Sequence, residues 1–208
     1  MPRIADLGRD EVLNRIRTSL SSTSGVEEAA YFGSTARGSV DALSDIDLAV
    51  QCDDDTAARF VYRLHEVLEV VLYRSFSNDR WPAGRYWFQA ANPFTRLDVS
   101  FYRRVEFHQL LAYGIGPKQP PFASIPLGAS RAYVEPRRTL PNWSDLDHDF
   151  AKALWRFHES VKAAARGSEP RQPLDEAEAA VRRFGSGQLR AGVWELYERS
   201  LTHLRGSV

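Results

Sequence analysis

One short alternating segment constrains the fold of this chain more than any other. One face of the strand it predicts carries Asp45 and Asp47, and the opposite face carries the apolar residues Ile46, Leu48 and Val50. A period of two residues is typical of a strand with one side against a core. Two carboxylates a few ångströms apart repel each other unless a cation compensates them. The segment therefore predicts a sheet that buries one face and presents an acidic pair on the other.

A second predicted strand, residues 26–32, leads into a glycine-rich segment at residues 33–38, which consists of Gly-Ser-Thr-Ala-Arg-Gly. Glycine lets backbone N–H groups approach phosphate oxygens closely, and the hydroxyl of Ser34 adds a donor. Arg37 is placed to neutralise phosphate charge. The alternative for Arg37 is an ion pair with Asp41.

Asp98 is the best candidate for a third carboxylate. It lies in a predicted strand, residues 95–102, whose apolar residues alternate with polar ones. If this strand lies beside the first, Asp98 joins the acidic pair. The alternative is an exposed carboxylate beside Arg96 or Arg103. Two rival carboxylates, outside any clear strand alternation, are Asp79 and Glu106.

Carboxylate oxygens grouped in this way are the ligands of a hard cation, and Mg²⁺ is the expected one. Two such ions can clamp the attacking and leaving oxygens of an in-line phosphoryl displacement. Zinc is not expected, because the single cysteine, Cys52, shows no ligand spacing with any of the five histidines.

One pattern of glycine, serine and aspartate residues resembles the signature of the DNA polymerase beta-like nucleotidyltransferase superfamily. It consists of Gly33-Ser34, then Asp45 eleven positions after Ser34, then Asp47, with Asp98 further along the chain. The resemblance covers residues 26–102. The compact length and helical tail resemble the small bacterial members, including the aminoglycoside and lincosamide nucleotidyltransferases.

The resemblance implies a role for each matching residue. Asp45 and Asp47 would ligate two Mg²⁺ ions, and Asp98 would ligate the catalytic metal and help deprotonate the attacking hydroxyl. Gly33 and Ser34 would hold the β- and γ-phosphates of the nucleoside triphosphate (NTP), with ATP the expected substrate. The reaction would transfer a nucleoside monophosphate to a hydroxyl and release pyrophosphate.

The expected fold class is α+β: a nucleotidyltransferase core with a mixed sheet, followed by a C-terminal helical subdomain, with the active cleft between them. The predicted divisions are residues 1–116, a proline-rich connection at 117–142 without regular structure, and residues 143–208. Predicted helices lie at about 10–20, 53–73, 104–113, 144–166, 174–184 and 188–204, and further strands at about 86–90 and 95–102.

The balance of charged residues narrows the class of acceptor on which the protein is expected to act. The 27 basic and 27 acidic residues give a formal net charge of zero, whereas a nucleic-acid binder usually shows a basic excess. We therefore expect a small hydroxylated acceptor, with antibiotics as one candidate class. The alternatives are transfer to tRNA or protein, as in toxin–antitoxin systems, and a non-catalytic NTP-binding module. The absence of a secretory h-region favours the cytoplasm, no apolar run is long enough to span a membrane, and no oligomeric state is predicted.

Two features of the tail have competing interpretations. Asp145, Asp147 and Asp149 fit a helix start, where acidic residues are favoured. They could instead form an acidic rim for a cationic acceptor, one of them serving as a general base. Trp143, Trp155 and Trp194 are expected in the core or in helix contacts, with an aromatic wall for a substrate as the alternative.

Overall fold

The computed structural model describes residues 7–75, 83–115, 118–128, 143–190 and 192–206. Within them the helices are α1 Arg9–Ser22, α2 Gly33–Arg37, α3 Asp54–Leu68, α4 Arg104–Tyr113, α5 Asp145–Ala165, α6 Leu174–Arg182 and α7 Val193–Gly206, with a 3₁₀ turn at Ser186–Gln188. The strands are β1 Glu28–Phe32, β2 Ile46–Gln51, β3 Val70–Ser75, β4 Ala83–Phe88, β5 Leu97–Tyr102 and β6 Ala123–Ser124.

The strands of the described residues form one six-stranded sheet in the order β3-β4-β5-β2-β1-β6. β2 and β5 run parallel, whereas β1 is antiparallel to both β2 and β6, and β4 is antiparallel to β5. The parallel β2–β5 pair and the three antiparallel pairs together make the sheet mixed. The predicted α+β class is therefore confirmed.

The two faces of the sheet are covered by different helices. On one face the Phe101 ring of β5 meets the Phe60 ring of α3 edge-on, with the ring centroids 6.0 Å apart. The opposite face packs against α4 through a buried cluster of Ala30, Phe32, Ala49, Tyr102, Phe107 and Leu110. We call this side of the sheet the α4 face. Because side chains alternate along a strand, Asp47 and Asp98 lie on the α4 face too.

The α3 helix begins where the sequence predicts but ends earlier. Asp53 caps it, since its carboxylate accepts a hydrogen bond from the Thr56 N–H at 2.7 Å. The prediction that the helix continues to about residue 73 is wrong. Glu69 adopts a left-handed conformation (φ 51°), and β3 begins at the next residue. Residues 70–73 are two valines, a leucine and a tyrosine, and β-branched and aromatic residues favour a strand.

The sequence prediction needs two smaller corrections. The proline-rich segment is not wholly irregular, because Ala123–Ser124 pairs with β1 at the edge of the sheet, where flanking prolines are tolerated. The last helix begins at Val193 rather than near residue 188, after the 3₁₀ turn. Residues 116–117 and 129–142 of this region lie outside the described part of the chain.

The chain divides into two compact units. One falls within Met1–Val70 and Ser75–Pro141, and the other within Val71–Arg74 and Asn142–Val208. Among the described helices, none combines the length and the apolar character that a bilayer crossing requires.

Candidate active site

The three predicted aspartates converge at one edge of the sheet. Asp47 in β2 and Asp98 in β5 are direct Cα partners in the parallel ladder, and Asp45 immediately precedes β2. Each residue offers a carboxylate oxygen within 4.8 Å of the others, and all three are partly buried. β2 and β5 are therefore neighbours, which is the condition under which Asp98 is expected to join the acidic pair. We call these residues the aspartate triad.

Gly33 lies directly against the triad. Its φ of +63° is in the left-handed region, which glycine adopts at little cost. A Cβ atom placed on Gly33 would lie 2.4 Å from the Oδ2 atom of Asp47, well inside normal contact. Both the backbone conformation and the space beside Asp47 therefore require glycine at this position.

The α2 helix connects Gly33 to the rest of the glycine-rich segment. Ser34 is half-buried, and no side chain caps the start of α2. Thr35 Oγ1 accepts a hydrogen bond from Arg9 at 2.9 Å. Arg37 is exposed and forms no ion pair with Asp41, whose carboxylate instead accepts from Ser44 Oγ at 2.7 Å. The start of α2 beside the triad therefore has no side-chain cap, Ser34 lies in its first turn, and Arg37 lies on the solvent side.

Two arginines that sequence reasoning did not select bind the triad directly. Arg85 donates from Nε to both carboxylate oxygens of Asp98, at 2.8 and 3.0 Å, and from Nη2 to Oδ2 at 2.6 Å. Arg96, whose side chain is only 2% exposed, donates from Nη2 to Asp45 Oδ2 at 2.5 Å. Its Nε lies 3.5 Å from Asp98 Oδ1. These cations offset the repulsion between the carboxylates.

The sequence offered a partial signal for these contacts. Arg96 is two residues before Asp98 and was already an alternative partner for it, but Arg103 lies near Asp54 instead, at 3.6 Å. Arg85 faces Asp98 only because of the β4–β5 register, in which the two are Cα partners. A register between strands with a long connection cannot be read from residue spacing alone.

Arg9 connects α1 to the backbone beside the triad through hydrogen bonds. It donates to the carbonyl oxygens of Ser44 and Asp45, at 2.7 and 2.9 Å, and to Thr35. Burial lowers the pKa of Arg9, while the negative charges of Asp45 and Asp47 act in the opposite direction. Arg9 thus fixes the backbone just before β2 and so the position of the acidic pair.

The donor set fits a hard divalent cation. It consists of carboxylate oxygens alone, and Mg²⁺ prefers such oxygens while keeping positions open for phosphate or water. Each carboxylate oxygen has two lone pairs, so a contact with arginine leaves it able to coordinate a metal. Among the described residues, the triad is the one group of three or more His, Cys, Asp or Glu side chains close enough to share an ion.

The competing features of the tail have structural roles. Asp147 is buried and forms a capping box with Ser144 at the start of α5, which confirms the helix-start interpretation for this residue. The ring of Trp194 lies 5.2 Å from that of Tyr197, and Arg190 lies 4.6 Å over the ring of Trp143. Of the rival carboxylates, Glu106 lies in the first turn of α4, and Asp79 is outside the described residues.

Comparison with known proteins gives one family match. Residues 13–81 match the model of a nucleotidyltransferase domain, a range that contains Gly33, Ser34, Asp45 and Asp47 and ends before Asp98. No curated protein matches the chain.

The chain is also similar to solved structures. One is a cytoplasmic RNA terminal U-transferase, with 24% identity and a TM-score of 0.37 over 51% of this chain and 36% of that one. Another is the Cid1 poly(U) polymerase with MgGTP bound, with 24% identity and a TM-score of 0.38 over 51% of this chain and 37% of that one. The chain thus spans little more than a third of the length of either structure. The family model covers less than half of the chain, so it shows that residues 13–81 are similar to a nucleotidyltransferase domain, in the segment that carries Gly33, Ser34, Asp45 and Asp47.

Proposed function

We propose that this protein transfers a nucleoside monophosphate from an NTP to a hydroxyl of a small-molecule acceptor, with Mg²⁺, and releases pyrophosphate. The observation that carries the proposal is the aspartate triad, whose oxygens lie within 4.8 Å of one another beside Gly33. The similarity of residues 13–81 to a nucleotidyltransferase domain supports an NTP as the donor substrate, and ATP is the first one to test.

In the proposed mechanism, the aspartate triad binds the metal ions and the glycine-rich segment binds the phosphates. Asp45 and Asp47 would hold two Mg²⁺ ions, and Asp98 would hold the catalytic one. Bound there, the ions supply Lewis-acid stabilisation of the charge that develops on the phosphoryl oxygens. Gly33 and Ser34 bind the β- and γ-phosphates through backbone N–H groups and the serine hydroxyl, and Arg37 adds positive charge at the exposed end of α2.

In the transfer step, the acceptor oxygen forms a bond to the α-phosphorus, and the bond from that phosphorus to the bridging oxygen of pyrophosphate breaks. Asp98 helps remove the proton of the acceptor hydroxyl. Arg85 and Arg96 hold the carboxylates of Asp98 and Asp45 in a fixed orientation, so less reorganisation is needed when substrate binds.

The zero net charge supports a small acceptor over a polynucleotide, because a phosphate backbone is usually met by a basic excess. Antibiotics with free hydroxyls are the first acceptor class to screen. Transfer to tRNA or protein is the competing outcome.

The test uses NTPs labelled at the α-phosphate, supplied with Mg²⁺ and with separate pools of hydroxylated small molecules, tRNA and protein. We expect label in a small molecule, together with pyrophosphate release that Asp47→Asn abolishes. Asp175→Asn, at an exposed position in α6, is the matched control and should retain full activity. Label found only in tRNA or protein would overturn the small-molecule acceptor but keep nucleotidyl transfer. No label in any pool would favour a non-catalytic NTP-binding module.

A further inference from the structure

Lys118 lies on the α4 face of the sheet, near the triad, and the mechanism above does not use it. Its Nζ donates to Ser100 Oγ at 2.5 Å and to the Tyr102 hydroxyl at 2.6 Å. Ser100 is two residues after Asp98 on β5, and side chains two residues apart share a face. Since a strand rises about 3.3 Å per residue, Ser100 lies roughly 6.6 Å along β5 from Asp98.

Neutral groups surround this ammonium. Nζ lies 5.1 Å from the ring centroids of both Phe32 and Tyr102, and its two hydrogen bonds go to hydroxyls. Phe32 immediately precedes Gly33 and is the Cα partner of Asp47. Over the residues that the structure describes, no carboxylate pairs with Lys118, and two of its three N–H donors are in use. Among the described residues, this positive charge is therefore held by hydroxyls and aromatic rings alone, on the same face as Asp98 and Asp47.

The backbone of Lys118 is fixed in place. Its N–H donates to the Ile115 carbonyl at 3.1 Å, and the Ile115 N–H donates to the Lys118 carbonyl at 2.9 Å. Gly114 has a φ of +73°, and a Cβ atom there would lie 2.4 Å from the Lys118 carbonyl oxygen. The position of the lysine is thus set by two backbone hydrogen bonds and by a glycine that allows the close approach.

We infer that Lys118 binds the phosphate chain of the NTP and the pyrophosphate that leaves it, an inference that rests on the proposed function. A lysine ammonium is a compact point charge suited to phosphate oxygens. Within the described parts of the chain its third N–H donor and its charge have no partner, and its ammonium lies on the face that carries the triad, against the ring of Phe32, which precedes Gly33. When the α-phosphorus–oxygen bond breaks, the electron pair stays on pyrophosphate, and Lys118 offsets that added charge without itself giving up a proton.

The test measures binding directly, by titration calorimetry with tripolyphosphate and with pyrophosphate in magnesium buffer, so that neither the base nor the acceptor matters. The variants are Lys118→Met, which removes the charge at similar length, and Lys118→Arg, which keeps the charge. Lys152→Met is the matched control, because Lys152 is an exposed lysine of α5.

We expect Lys118→Met to weaken binding of tripolyphosphate by about 10- to 100-fold, the usual effect of losing one charged hydrogen bond. Lys118→Arg should recover most of that loss, and Lys152→Met should bind as the wild type does. Far-ultraviolet circular dichroism and the unfolding midpoint establish that each variant is folded. If Lys118→Met is unfolded, comparing Lys118→Arg with Lys118→Gln decides the question.

The outcomes separate this inference from the proposed function. If the wild type binds neither polyphosphate nor MgATP, the proposed function fails. If the wild type binds tripolyphosphate and a folded Lys118→Met variant binds it equally well, Lys118 only supports Ser100 and Tyr102, and the inference is overturned. An equal loss in Lys118→Met and Lys118→Arg also overturns it, because charge is then not the property that matters.

Discussion

Replacing Gly33 with alanine tests the link between the glycine-rich segment and the triad. Gly38, which ends α2, provides a matched control because its φ is +65°, nearly the same as that of Gly33. A Cβ atom on Gly38 meets nothing within 4 Å, whereas one on Gly33 lies 2.4 Å from Asp47 Oδ2. The two substitutions therefore share the backbone cost and differ in the clash with Asp47.

The magnitudes follow from that difference. Holding alanine in the left-handed region costs about 1 to 2 kcal/mol, so Gly38→Ala should lower the free energy of unfolding by that amount. Gly33→Ala adds the cost of moving a partly buried carboxylate by about 1 Å, for which overpacking suggests about 1 to 3 kcal/mol more. A shift of that size in Asp47, a proposed metal ligand, should also reduce turnover about 100-fold.

Urea unfolding followed by circular dichroism gives the first quantity, and Mg²⁺-dependent pyrophosphate release gives the second. The reasoning is refuted if the two variants lose equal stability and Gly33→Ala keeps wild-type turnover. A Gly33→Ala variant that loses stability but not turnover would show that Asp47 has room to adjust without leaving the triad.

Three further changes have defined outcomes. Arg96→Met should lower the free energy of unfolding by about 3 kcal/mol, because it leaves Asp45 without its buried partner, and Mg²⁺ should raise the melting temperature of this variant more than that of the wild type. Burial lowers the pKa of His65 to about 4, so between pH 6.5 and 4 the unfolded chain binds a proton that the folded chain does not. The free energy of unfolding should therefore fall as the pH is lowered from 6.5 to 4. Urea unfolding at a series of pH values should show a smaller fall for His65→Phe than for the wild type. Ser144→Ala removes the cap of α5 and should cost about 1 kcal/mol in thermal unfolding, whereas an unchanged midpoint would show that the cap is not needed.

Sequence patterns predict the parts of this fold that depend on local alternation and capping. β2 is predicted because Ile46, Leu48 and Val50 alternate with two aspartates and an alanine. The start of α3 is predicted because Asp53 is a strong cap. The end of α3 is not predicted, since the turn at Glu69 contains no glycine and the apolar residues after it continue a helical spacing. Only the gain from placing valines in a strand of the sheet decides between the two structures.

The acidic half of the candidate site can be predicted from spacing, but its cationic half cannot. Asp47 lies in β2 and Asp45 immediately precedes it, and Asp98 requires only that two strands be neighbours. Arg85 depends on an antiparallel register, and Lys118 depends on backbone hydrogen bonds with Ile115, distant from the triad in sequence. Contacts that depend on long-range pairing leave no periodic signal in the chain.

The parallel pairing of β2 and β5 also limits how this chain can change in length. Asp47 and Asp98 face each other because they occupy the same rung of that ladder. Removing Leu97 alone would keep every functional residue yet rotate Asp98 toward the apolar side of the sheet, where Phe60 packs. A one-residue deletion there should be more harmful than many substitutions, whereas a deletion in a connecting loop leaves the rung intact.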